Sequence, residues 1–183
     1  MKTLLTLFVL FFSSSVVAED IFDFQIEGIS IGDSLLDHFS EKFIKENEEN
    51  YYKNKTYTPV EIFQHPTFKI YDSMSFNYKT DDNNFIISHM SGRIKFNNNM
   101  EECEKKKEVI LKDIAVIFNN KPFRNSKGIH SADPSGNSIY SMDAVKLDSG
   151  NKINITCYDY SEESGWGDSL VFSVRTKHFN DFL

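Results

Sequence analysis

The chain has two cysteines, Cys103 and Cys157, and their settings constrain the fold more than any other feature. Cys103, Ile110, Ile114 and Ile117 recur at spacings of seven, four and three, which is the apolar stripe of a helix. Ile153, Ile155 and Cys157 alternate along one face of a strand. Both surfaces need burial, and packing the helix on the sheet brings the two thiols together. A Cys103–Cys157 disulfide would close a loop of roughly fifty residues, a constraint of roughly 4 kcal/mol in the chain-entropy account. The alternative is a pair of buried free thiols. A catalytic thiol is disfavoured, because Glu101, Glu102 and Glu104 surround Cys103 with negative charge that opposes a thiolate.

The first residues supply a compartment in which that bond can form. Lys2 gives a basic start and Leu4 to Phe12 an apolar run broken only by Thr6. Ser13, Ser14 and Ser15 then lead into Val16-Val17-Ala18, a small-residue cleavage site. This is the pattern of a removable secretory signal, with an apolar core too short to span a bilayer. The rival reading is a retained N-terminal anchor. Removal after Ala18 leaves residues 19–183 as a single domain, secreted or periplasmic, where disulfides persist. The mature chain would start at Glu19, not Cys, so no lipid anchor is indicated, and stable membrane insertion is not expected.

The net charge is -7, and Lys and Arg are scattered along the chain without a basic stripe. That balance argues against nucleic acid and anionic membranes as partners and leaves an unidentified protein or small molecule. The local run Lys105-Lys106-Lys107 follows an acidic turn and reads as a solvated helix face. Asn54-Lys55-Thr56 and Asn154-Ile155-Thr156 match the glycosylation acceptor pattern, at the frequency that so Asn-rich a chain produces by chance. Two cysteines and dispersed histidines offer no ligand set, so neither a metal nor another cofactor is expected.

The hydrophobic pattern predicts an α+β domain: a mostly antiparallel sheet of about five strands, packed against one long helix from Met100 to Phe118. A shorter N-terminal helix is expected from Leu35, Leu36, Phe39 and Phe43, capped by Ser34. Lys45 to Lys55 reads as an exposed loop, and Asn119 to Asn137 as a long polar connection. Strands are expected around Phe68–Tyr78, Ile86–Phe96, Tyr140–Leu147, Ile153–Asp159 and Leu170–Val174.

Gly32-Asp33-Ser34-Leu35 resembles the nucleophile block of the GDSL esterase and lipase family, which implies Ser34 as a nucleophile and a small secreted hydrolase as the alternative function. The family's C-terminal Asp-x-x-His is not matched, since Arg175 occupies the Asp position before His178. Ser34 as a helix cap accounts for the same residues. A Ser-His-Asp set can be drawn in the long loop from His130, Asp133 and Ser135 or Ser138, with turn formation at Asp133-Pro134-Ser135-Gly136 as the structural reading. Trp166, the single tryptophan, stands between Gly165 and Gly167 and is a candidate recognition anchor, with folding back on the sheet as the structural reading. Trp166, His130 and Asp133 are therefore the candidate binding residues, and no residue is assigned as catalytic.

Three segments resemble small exported proteins of AT-rich marine bacteria that carry no assigned activity. They are Gly28 to Leu36, Glu101 to Lys107 and Cys157 to Glu163. The resemblance implies export. Together the residues favour a non-catalytic exported module for binding or envelope assembly.

Overall fold

The computed structural model describes residues 20–96 and 99–183. The export signal read in Met1 to Ala18 lies outside the described residues. A small hairpin of β1 (Gln25–Ile26) and β2 (Ile29–Ser30) leads into α1 (Glu41–Glu46). A first meander follows, β3 (Tyr57–Phe63), β4 (Ser73–Lys79) and β5 (Ile87–Lys95). Helix α2 (Met100–Ile117) then crosses to a second meander, β6 (Arg124–Ile129), β7 (Ile139–Lys146), β8 (Lys152–Asp159) and β9 (Ser169–Arg175), and α3 (Lys177–Phe182) ends the chain. The meanders join through β5 and β9 into one seven-stranded sheet, ordered β3-β4-β5-β9-β8-β7-β6, with every neighbouring pair antiparallel.

This architecture overturns the expected five-strand sheet backed by one long helix. Two strands escape the hydrophobic pattern. β3 contains Pro59, which reads as a strand breaker. It is tolerated because β3 is an edge strand, and the backbone of residue 59 faces outward. There its carbonyl accepts from the Glu49 amide at 2.8 Å, while the Glu61 amide donates to the Asn47 carbonyl at 3.0 Å. The segment read as an exposed loop thus covers this sheet edge. β6, Arg-Asn-Ser-Lys-Gly-Ile, falls within the expected polar connection and is a strand only because β7 pairs with it from Arg124↔Ala144 to Ile129↔Ile139.

The N-terminal helix also differs. Leu35–Asp37 is a 3₁₀ turn, and Ser40 in extended conformation starts α1 afresh by accepting from the Phe43 amide at 3.3 Å. A second cap within six residues breaks what periodicity reads as one helix.

One face of the sheet is apolar: Val60 and Ile62, Met74 and Phe76, Met90, Phe172 and Val174, Ile153 and Ile155 are all buried. Helix α2 covers this face mainly over β8 and β9. The N-terminal segment closes the rest, with Phe24 against Phe172 at 5.5 Å and Phe39 against Phe76 at 6.0 Å between ring centres. Asn99 caps α2 by accepting from the Glu102 amide at 3.1 Å. Cys103 and Cys157 are bonded, joining α2 to β8. Lys107 corrects the reading of its basic run as a solvated face. It lies on the buried stripe between Cys103 and Ile110 and is 3% exposed. Its ammonium is held by Glu104 at 2.9 Å, Asp143 at 3.1 Å and the Ser141 hydroxyl at 2.7 Å.

Candidate functional site: the polar face of the sheet

Strand alternation places the side chains opposite Ile153, Ile155 and Cys157 on the other face of the sheet. At one end of that face, Tyr158 and Tyr160 stack with ring centres 5.3 Å apart and planes 8° from parallel. His130 comes from the loop after β6 and stands edge-on to both, 5.4 Å from each ring. Trp166 completes the cluster, 5.2 Å from Tyr160 and 5.5 Å from His130. Edge-to-face contacts of this kind favour packing beyond the area they bury. Trp166 nevertheless remains 47% exposed, so the cluster is both braced and open to solvent.

The brace is Asp133. One carboxylate oxygen accepts from the hydroxyls of Ser138 at 2.6 Å, Ser135 at 2.8 Å and Ser161 at 2.8 Å, and from the Ser138 amide at 3.0 Å. These bonds, with the Ser138 hydroxyl foremost, hold the acid well below the usual carboxylate range. They also tie the β6–β7 loop to the β8–β9 connection. Asp133 is buried and acts from beneath as a positioning residue. In the same connection, Gly165 has φ 71°, a left-handed conformation that ends the 3₁₀ turn Glu162–Ser164 and turns the chain into Trp166.

The structure thus gathers Trp166, His130 and Asp133 around one cluster. It does not assemble the Ser-His-Asp set of that loop. The serine hydroxyls donate to Asp133, and the buried Nδ1 of His130 has no partner among the described residues. Ser34 is also committed. Its hydroxyl donates to the Asn84 carbonyl at 2.6 Å while accepting from the Leu36 amide at 3.1 Å.

Several residues of this face are missed by sequence reasoning. Arg93 on β5 donates to the Ser169 hydroxyl at 3.3 Å and lies beside the Tyr160 hydroxyl. Arg175 on β9 has a buried Nε without a hydrogen-bond partner among the described residues. Tyr158 lies within electrostatic reach of both arginines. Period-two alternation signals that Arg93 and Arg175 oppose the apolar face, but the pairing of β5 with β9 that makes them neighbours is not a local signal. Beside Arg175, His89 accepts from the Asn77 amide at 2.8 Å through Nδ1 and donates from Nε2 to the Ser173 hydroxyl at 3.0 Å. Phe179 of α3 stacks on its ring at 4.8 Å. Burial, and secondarily the charge of Arg175, push this imidazole down to about 3.

On the apolar side, a depression of about 670 Å³ lies between the start of α2 and β6–β7, lined by Met100, Glu104, Ile129, Ile139 and Asp159. Tyr140 also lines it, whereas Trp166, His130, Tyr158 and Tyr160 do not. Among the described residues, no helix is long and apolar enough to cross a membrane. No protein-family model matches the chain, and no curated protein or solved structure matches it.

Proposed function

We propose that this chain is an exported, non-catalytic binding module whose ligand docks on the polar face of the sheet, with Trp166 as anchor. The observation that carries the reading is a half-exposed tryptophan packed against Tyr160 and His130 on a scaffold braced by Asp133. Aromatic side chains that keep a free surface while their rotamers are locked bind at low entropic cost. The disulfide supports work in an oxidising compartment, in the periplasm or outside the cell.

The test uses mature protein crosslinked in extract of its native compartment, compared with Trp166→Ala and Tyr160→Ala. Both variants should fold with the disulfide intact and lose most of the captured material. Unchanged capture by both removes the aromatic cluster from the function. Mass spectrometry of the exported protein should show a chain starting at Glu19 with no free thiol.

A further inference from the structure

Across the polar face, three cations stand directly opposite one another on adjacent strands. Lys146 of β7 pairs with Lys152 of β8, and Lys152 pairs with Arg175 of β9. Arg124 of β6, opposite Ala144, lies one diagonal step from Lys146 on the same side. Like charges facing each other across strands destabilise a sheet. None of the four cations forms an ion pair among the described residues. Asp181 of α3 attracts Lys152, but its carboxylate is already paired with Lys177. Arg93 adds a further cation between the row and the aromatic cluster. Glu61 on β3 is the single carboxylate that the seven strands present on this face. A chain of net charge -7 has therefore concentrated uncompensated positive charge on one surface.

We propose that this face binds an acidic polysaccharide, with sugar rings against Trp166 and Tyr160 and carboxylate or sulfate groups along Arg93, Arg175, Lys152 and Lys146. The proposal rests on the binding-module reading and names its ligand class. Tyr158 lies six residue steps along β8 from Lys152, a run of roughly 20 Å, enough for several sugar units. Arginine suits the inner positions, because its fork holds a carboxylate or sulfate through paired bonds. Lysines, Lys146 exposed and Lys152 half-buried, suit the outer end, where groups of variable spacing need only charge. The proton affinity of Lys152 is lowered first by burial and then by Arg175 and Lys146, and a bound polyanion offsets the like-charge part.

The experiment measures binding of the mature, disulfide-bonded chain to polygalacturonate, dextran sulfate, neutral dextran and oligo(dT) of similar length. At least one of the two acidic glycans should bind, dextran should not, and raising salt from about 50 to 300 mM should weaken binding by roughly tenfold or more. Which acidic glycan binds identifies carboxylate or sulfate as the recognised group. The double variant Lys146→Gln/Lys152→Gln, which keeps most of each stem and removes both charges, should lose roughly tenfold in affinity. Equal binding of dextran, tighter binding of oligo(dT), no binding of either acidic glycan, or an unaffected double variant overturns the proposal. Trp166-dependent capture in native extract that persists in the double variant would leave the binding module standing with a different ligand.

Discussion

Lys107 offers a sharp test of how this fold is held, because it is a charge on the buried stripe of α2. Its ammonium sits between Glu104, Asp143 and Ser141, and its stem fills the space between Cys103 and Ile110. Lys107→Met keeps the stem and removes the charge. Glu104, with 37% of its side chain exposed, turns to water at little cost. Asp143, with 14% exposed, cannot, and keeps only the Asn125 amide at 3.2 Å. Leaving that carboxylate nearly unpaired costs about 3 kcal/mol, toward the lower end for a broken buried pair because some solvent reaches it. Asp143→Ala leaves Lys107 with Glu104 and Ser141, so its cost is lower, about 2 kcal/mol. The double variant has no stranded charge and should lose about 3 kcal/mol, not the sum, giving a coupling of about 2 kcal/mol. Urea unfolding of the four oxidised proteins measures the cycle, and each kcal/mol corresponds to about 2–4 °C in Tm. Additivity within about 0.5 kcal/mol would show that the pair is not an energetic unit and refute the argument.

Two further outcomes follow from the same interior. Replacing both Cys103 and Cys157 by Ala opens a link across 54 residues and should destabilise the chain by about 4 kcal/mol, read by urea unfolding; a loss below about 1 kcal/mol would mean that the helix is held by packing alone. His89 is neutral in the fold down to about 3, whereas the unfolded imidazole takes a proton near 6.5, so stability falls as pH drops between those values. Linkage across that gap gives a loss of about 2–3 kcal/mol at pH 4.5. His89→Asn should flatten the stability profile between pH 4.5 and 7, and an unchanged slope would assign the acid sensitivity elsewhere.

Legibility in the sequence varied with how local each signal was. The helix Met100–Ile117 announces itself through its Asn99 cap and its apolar stripe, and the same stripe contains position 107. Lys107 is read as solvated only because its residue type outweighs its phase. The strands with alternating apolar residues are legible; β3 and β6 are not, because Pro59 and the polar run Arg124–Lys127 mask them. Trp166 and His130 stand out singly, as a lone tryptophan and a loop histidine, without any local sign that their rings touch.

From the sequence alone came the elements whose evidence lies within a few residues: the helix stripe, the strand faces, and the two cysteines whose buried positions make a bond possible. A stripe and an alternation are periodic, and period survives without tertiary knowledge. Only the folded chain decides which strands become neighbours. Its pairing of β5 with β9, and of β8 with β7 and β9, turns cations scattered along an acidic sequence into one row beside an aromatic cluster. Charge adds up in space and not along the chain, so the absence of a basic stripe in the sequence is compatible with a basic face on the protein.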